Sequence, residues 1–153
     1  MVKIIQSELK SKGKKFSIIV SRFNDFVTTK LLDGCLSELK NNGAKDSDIT
    51  VVWVPGAFEI PVAALKSAKK KSVDAVICLG AIIRGETIHF DLIAKSVAEG
   101  ISHVALSTGK PCVFGVLTTD TVEQAYKRSQ KGNNKGQEAA CVAIEMVNTL
   151  KRI

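Results

Sequence analysis

The segment from Gly80 to Phe90 holds the residues best suited by type and spacing to do chemistry. It reads GAIIRGETIHF and leads from an apolar stretch into a long segment with helical spacing. Its two glycines allow a ligand to approach the backbone closely, and free N–H groups at a helix start favour an anion. His89 follows in the first turn, where an imidazole can exchange protons with a bound ligand. These residues alone leave an ordinary strand–helix loop with a surface histidine equally open.

Two other segments carry aromatic residues directly after apolar runs. The stretch PGAFE at 55–59 places small residues beside Phe58, which suits a flat ring lying against the backbone, and SRFND at 21–25 contains Phe23. The alternatives are a hydrophobic first helical turn, with Glu59 favoured there by the helix dipole, and packing under the sheet edge.

A basic cluster follows FGVLTTD (114–120) and includes Arg128 and Lys135, with no acid between its members. Arg128 is one of only four arginines, and a planar guanidinium suits phosphate. A solvated helix end is the competing interpretation. His103 lies 14 residues beyond His89, about 21 Å along a helix, so the two histidines are not expected to act on one atom.

The composition argues against nucleic acid and membranes as partners. The net charge is +7, but the surplus consists of 18 Lys against 4 Arg, and aromatic residues make up only 5%. Base reading and phosphate clamping favour Arg, and single-strand binding favours aromatic stacking. No apolar run reaches the ~18 residues of a membrane span, and the N-terminus lacks the longer apolar segment of a signal peptide. We therefore expect a cytoplasmic protein.

Familiar cofactor and metal motifs are missing from the sequence. It contains no P-loop pattern, no dinucleotide-binding G-x-G-x-x-G and no G-x-S-x-G. Cys35, Cys78, Cys112 and Cys141 are far apart, and only two His are present, so a zinc site is not expected. The cysteines are interpreted as small buried apolar side chains, and we expect neither metal nor cofactor.

The elements that must position these residues alternate along the chain. Continuous apolar runs predict buried parallel strands, and three- and four-residue spacing predicts helices. Strands are predicted at 16–21, 49–55, 73–80 and 111–118, and helices at 25–42, 57–71, 87–107, 120–131 and 136–150. The fourth helix opens with Asp120 and Glu123, close to a capping box, and KGNNKG (131–136) is read as a turn.

This order predicts a three-layer α/β/α sandwich of the flavodoxin-like kind, with a four-stranded parallel sheet in one domain over 1–153. Residues 2–9 are an extra strand candidate without a partner in the sequence, so we expect it to pair with a sheet edge on a neighbouring subunit. Ligands of such sheets bind beyond the carboxyl ends of the strands, which is where the four segments above begin.

Together these segments closely resemble the lumazine synthase family. The matching stretches, in the family's order, are 21–24, 55–61, 80–90, 114–119, and Glu123-Gln-Ala with Arg128 and Asn134-Lys-Gly. The resemblance implies condensation of 5-amino-6-(D-ribitylamino)uracil with 3,4-dihydroxy-2-butanone 4-phosphate. This is the penultimate step of riboflavin synthesis and uses no cofactor or metal.

The resemblance also implies a role for each matching residue. His89 would shuttle protons. The residues implied for the pyrimidine pocket are Phe23, Ala57, Phe58, Glu59, Ala81, Ile82, Ile83 and Phe114. The residues implied for phosphate binding are Glu86, Thr87 and Arg128, with Lys135 as a further electrostatic contributor.

Members of this family form pentamers, and some stack twelve pentamers into a shell. The resemblance implies active sites between neighbours, with Phe114 and Arg128 supplied by the adjacent subunit. The turn from Arg128 to Lys135 is one residue shorter than in many shell-forming members. We therefore expect at least a pentamer, and leave open both the 60-subunit shell and an association with riboflavin synthase.

Two other classes of function remain as alternatives. A flavin- or lumazine-binding carrier would keep Phe23 and Phe58 but would not need both His89 and Arg128. A purely structural shell protein would need no constellation at the strand ends. The presence of both His89 and Arg128 favours the enzyme.

Overall fold

Four parallel strands form the centre of the molecule. The computed structural model describes all residues 1–153. The strands are β1 (Phe16–Ser21), β2 (Ile49–Val54), β3 (Ala75–Ile83) and β4 (Cys112–Thr119), in the sheet order β2-β1-β3-β4. All six residues of β1 are buried, because the strand lies inside the sheet and is covered on both faces. The predicted four-stranded parallel sheet is confirmed.

Helices cover both faces of this sheet. They are α1 (Asp25–Asn41), α2 (Ile60–Ala68), α3 (His89–Thr108), α4 (Val122–Lys127) and α5 (Lys135–Leu150). Helices α1 and α5 pack on one face around Phe16, Ile18 and Leu79, whereas α2 and α3 pack on the other around Ile19 and Cys78. Alternate residues of each strand therefore enter two separate apolar cores, which is the three-layer α/β/α arrangement expected from the sequence.

The α1–α5 contact is unusually close. A Cβ atom on Gly136 would lie 1.9 Å from the carbonyl oxygen of Leu31. Just before it, the Asn134 side chain donates hydrogen bonds to the carbonyl oxygens of Lys30 and Ser129, both at 2.9 Å. Asn134 Oδ1 also accepts from the Gln137 N–H at 3.0 Å and so caps α5. These contacts fix the direction in which α5 leaves the preceding loop.

The region between β4 and α5 differs from the prediction. Helix α4 ends at Lys127, not at 131, and 131–136 is not a simple turn. Instead β5 (Ser129–Gln130) and β6 (Asn133–Asn134) form a small antiparallel hairpin, closed by Gly132 at φ 87°. The capping box lies one residue later than expected and consists of Thr121 and Gln124. The Thr121 hydroxyl accepts the backbone N–H of Gln124, the third residue of the helix.

The start of α2 and the N-terminal residues also differ in detail. Residues 57–59 form a 3-10 turn, so the α-helix expected from 57 begins at Ile60. Residues 1–10 form no strand within the chain. They run beside the end of α5, where Asn148 donates to the carbonyl oxygens of Glu8 and Lys10 at 3.0 Å. Strand pairing with a neighbouring subunit stays a prediction.

The cysteines and helices leave two simple observations. All four thiols are free; Cys35 and Cys78 are buried as expected, whereas Cys112 and Cys141 are only partly so. No helix combines the length and apolar character needed to cross a membrane.

Candidate active site

A cavity of about 700 Å³ lies at the carboxyl ends of β1, β2 and β3. Its walls come from the loops that follow these strands and from the start of α3, as expected for a parallel sheet. The lining residues are Phe23, Asn24, Pro55, Gly56, Ala57, Phe58, Glu59, Ala81, Ile82, Ile83, Gly85, Thr87, His89, Phe90 and Ile93. The fold thus brings three of the four sequence segments to one place.

Two exposed aromatic rings and one carboxylate form one part of the wall. Phe23 and Phe58 are 72% and 57% exposed, which is unusual for phenylalanine on a single chain. Glu59 Oε2 accepts the Gly56 N–H at 3.0 Å, whereas Oε1 makes no hydrogen bond within the chain. The 3-10 turn at 57–59 therefore holds the carboxylate at the cavity while leaving one oxygen free to accept from a ligand.

The floor of the cavity is the end of β3. Ala81 and Ile82 are buried, and Ile83 is half-buried. Asn24 Nδ2 donates to the Ala81 carbonyl oxygen at 2.8 Å and so ties the loop after β1 to β3. Asn24 is the only non-glycine residue with positive φ, at 65°. Asparagine tolerates this left-handed conformation better than most residues, which explains its place at this tight exit from β1.

The loop between β3 and α3 offers unpaired backbone donors. The N–H groups of Gly85, Glu86, Thr87 and Ile88 make no hydrogen bond within the chain. Gly85 and Thr87 line the cavity, whereas Glu86 and Ile88 do not. The four exposed donors precede the long helix α3, so the positive end of its dipole adds to their attraction for an anion.

His89 is the first residue of α3 and is exposed to solvent at the cavity. Its backbone N–H donates to Thr87 Oγ1 at 3.3 Å. No hydrogen bond within the chain engages the imidazole, so both ring nitrogens are available to a ligand. His103, on the same helix, is exposed but lines none of the main cavities.

Phe114, Arg128 and Lys135 lie elsewhere, in a separate cavity of about 300 Å³. This second cavity runs along β4, which is a sheet edge, and beside the start of α5. Arg128 Nη1 donates to the Gln124 carbonyl oxygen at 3.0 Å, and Lys135 Nζ pairs with Glu138 at 2.9 Å. The two cavities share no lining residue. Within one chain, therefore, these three residues are not brought together with His89.

Comparison with protein families identifies the family of this chain. The family model described as 6,7-dimethyl-8-ribityllumazine synthase matches residues 13–151, nearly the whole chain. The chain belongs to the 6,7-dimethyl-8-ribityllumazine synthase family. The family's description names an enzyme, and the condensation step of riboflavin biosynthesis is the activity that membership implies. The resemblance seen in the sequence motifs is thereby confirmed.

Several cavity residues of this lumazine synthase family member escaped the sequence-based site. Asn24 stands inside a matching motif, but its bond to Ala81 depends on a backbone conformation that the sequence does not reveal. Ile93 lies four residues after His89 and three after Phe90, spacings of about one helical turn that could have indicated a shared face. Pro55 and Gly56 line the cavity through their place in the loop.

Arg84 belongs to the same lumazine synthase motif, yet its side chain does not line the cavity. Its Nε donates to Asp120 Oδ1 at 2.8 Å, and Nη1 lies 3.3 Å from Asp91 Oδ1. The guanidinium also stacks on the Phe90 ring, 4.3 Å from its centroid. The hydrogen bond to Asp120 raises the pKa of Arg84 further, so the group stays charged.

No three His, Cys, Asp or Glu side chains converge as a metal site would require.

Proposed function

We propose that the chain condenses 5-amino-6-(D-ribitylamino)uracil with 3,4-dihydroxy-2-butanone 4-phosphate, giving 6,7-dimethyl-8-ribityllumazine, phosphate and water. The observation that carries this proposal is the meeting, in one cavity, of exposed aromatic rings, the unpaired N–H donors of Gly85 and Thr87, and an unengaged histidine. A flat heterocycle, an anionic leaving group and a proton transfer each find a matching feature there.

The uracil is proposed to bind against the aromatic wall. Phe23 offers a ring face for stacking, and the backbone of Ala81, Ile82 and Ile83 offers hydrogen bonds to the edge of the heterocycle. Ala57 and Phe58 line the same side, and the free Oε1 of Glu59 suits the hydroxyl groups of the ribityl chain. The bond from Asn24 leaves one lone pair on the Ala81 oxygen for the ligand.

The phosphate is proposed to sit at the loop before α3. Backbone donors of Glu86 and Thr87 would bind it, with Thr87 lining the cavity and Glu86 exposed beside it, and the Glu86 carboxylate would have to point away from the phosphate. Arg128 would contact the same phosphate from a second subunit, and Lys135 would add positive potential there.

His89 is the proposed proton shuttle. It would take a proton from the attacking amine and return one to the departing oxygen as the imine forms and phosphate leaves. The amine is already a nucleophile and phosphate a good leaving group, so holding the two reactants together supplies much of the rate. General acid–base catalysis adds typically about 10²–10⁴-fold.

The proposed working unit is an assembly of neighbouring chains, because one chain leaves Phe114 and Arg128 away from His89. The family resemblance makes this assembly a ring of five. Large apolar side chains at α3 support an assembly: Ile88, just before the helix, is 71% exposed, and Leu92 and Leu106 within it are 61% and 83% exposed. Ile88 and Leu92 lie four residues apart, about one helical turn, so they can form one exposed apolar patch, and such patches are typical of interfaces. Both the 60-subunit shell and an association with riboflavin synthase stay open.

The test is direct. Purified protein is mixed with the two substrates, and lumazine formation is followed by its absorbance against the spontaneous reaction. We expect clear acceleration, lowered about 10²-fold or more by His89→Asn. The matched control is His103→Asn, which changes an exposed histidine on the same helix and should keep full activity. Binding of a lumazine or flavin without acceleration would instead identify a carrier.

A further inference from the structure

Arg84 spans a loop of the cavity wall, Gly85–Ile88, whose backbone donors are unpaired. The N–H groups of Gly85 to Ile88 have no partner in the chain, so none of the loop's own backbone donors holds it in place. An unsupported loop samples many conformations, and ordering it at each binding event costs conformational entropy. Something outside the loop must therefore hold it if Thr87 and His89 are to keep their places.

The contacts of Arg84 connect both ends of this loop. Its backbone N–H donates to the Thr119 carbonyl oxygen at 2.8 Å, which anchors the first end on β4. The guanidinium reaches Asp91 and the ring of Phe90, just past the other end, while Nε binds Asp120 after β4. The side chain thus closes a short ring around Gly85–His89 and fastens it to the neighbouring loop.

We propose that Arg84 is a positioning residue that holds the Gly85–Ile88 donors and His89 in their reactive arrangement, an inference that rests on the proposed function. Arg84 acts through Phe90, Asp91 and Asp120 and does not touch the substrate. The fork geometry matters, because one planar group must serve two carboxylates and one ring face at the same time.

Loss of the Arg84 contacts should lower the reaction rate more than the free energy of unfolding. The pairs are exposed, with 43% of the Arg84 side chain accessible, and exposed ion pairs contribute little to folding. Misplacing reacting groups by about 1 Å, in contrast, can reduce a rate about 10²-fold. Variants that release the loop should therefore fold normally and react slowly.

The experiment compares Arg84→Met with Asp120→Asn in steady-state kinetics. Both variants remove a contact through which Arg84 holds the loop. We therefore expect both to lower kcat about 10–100-fold and to weaken binding of the phosphate substrate more than binding of the uracil. If the two side chains acted only through their charge on an anionic substrate, the two variants would change kcat and substrate binding in opposite directions, since one variant removes a positive charge and the other a negative one. Arg84→Lys keeps the charge without the fork and should restore only part of the rate. Lys95→Met, which removes an exposed charge from α3, is the control expected to match wild type.

Hydrogen exchange without substrate gives a readout independent of catalysis. The Leu92 N–H, bonded to the Ile88 carbonyl oxygen in the first turn of α3, should exchange about fivefold faster or more in Arg84→Met and Asp120→Asn. Unchanged exchange and kinetics in both variants, or faster turnover in Asp120→Asn, would overturn the positioning role. An inactive wild-type protein would overturn the proposed function alone, because the exchange result would still decide whether Arg84 anchors the loop.

Discussion

The Arg128 guanidinium makes one hydrogen bond within its own chain and keeps its other donors available to a ligand on a neighbouring chain. Nη1 is held by the Gln124 carbonyl oxygen, and the guanidinium lines the small cavity at the β4 edge. This hydrogen bond orients the planar group before any ligand arrives. A pre-oriented guanidinium at a sheet edge is well suited to bind a phosphate carried on a neighbouring subunit.

We expect Arg128→Met to raise the KM for the phosphate substrate about 10–100-fold, the range of a lost charge-assisted hydrogen bond, with a smaller effect on the uracil. Steady-state kinetics with each substrate varied in turn measure this. The control is Lys127→Met, which removes an adjacent exposed charge and should leave the KM near wild type. Equal KM values in Arg128→Met and wild type would remove Arg128 from the phosphate site.

Glu38 is a titrating residue that joins α1 to α5. Burial on its own would raise its pKa, but hydrogen bonds from Asn42, Cys141 and Gln137 outweigh burial and lower it below the ordinary 4.5. A carboxyl with a lowered folded-state pKa stabilises the fold above the unfolded pKa and loses that contribution as pH falls. The wild type should therefore lose stability between about pH 5 and 3 more steeply than Glu38→Gln. Urea unfolding across that range checks this, and parallel curves would contradict it.

At the scale of elements, the close α1–α5 contact depends on a missing side chain. Gly136 must stay without a Cβ because the clash would fall on the Leu31 carbonyl oxygen, which is backbone and cannot turn aside. The Asn134 side chain reinforces the contact through its bond to Lys30. Helix α5 thus reaches the core only along one path.

We expect Gly136→Ala to lower the free energy of unfolding by about 3 kcal/mol or more, through overpacking that the backbone cannot relieve. Gly85→Ala is the matched control, because a Cβ there would meet no atom within 4 Å. Its stability should stay within about 0.5 kcal/mol of wild type. Denaturant unfolding of both proteins measures the difference, and similar values would show that α1 and α5 separate easily.

The elements were predictable where burial is uniform and unpredictable where short polar contacts decide. The strand β1 was predicted at its observed bounds, because continuous apolar residues bounded by turns have few other solutions. The prediction for residues 120–134 was wrong in detail, because the hairpin there depends on Gly132 and on side-chain hydrogen bonds of Asn133 and Asn134. The cavity segments followed from the strand-end rule. That rule does not say which edge of the sheet a residue such as Phe114 faces, so its separation from His89 within one chain was expected only from the family resemblance and became visible in the structure.

For the whole molecule, two separate cavities imply that two variants with substitutions in different cavities can complement each other and restore activity. His89→Asn damages the large cavity and leaves the β4 edge intact, whereas Arg128→Met does the reverse. Refolding the two variants together at equal amounts should restore about a quarter of wild-type activity when the phosphate substrate is kept well below the wild-type KM, where both variants are slow, because random mixing joins two intact halves at that frequency. Activity and native mass spectra of the mixture measure this.

The matched control combines His89→Asn with Phe23→Ala. Both lesions lie in the large cavity, so no chain in that mixture has an intact one and no recovery is expected. Equal recovery in the two mixtures would contradict a site shared between subunits.

The order of strands also determines when a growing chain can complete its fold. By the end of β3, the three strands β2, β1 and β3 are available and can pair, with α1 and α2 on opposite faces. Ala140, Ala143 and Ile144, however, come from the last helix, and they close the core on the α1 face. Until α5 has left the ribosome, that face lies open and apolar. The period during synthesis when this chain is most exposed to aggregation or to chaperones is therefore the one just before its final helix emerges.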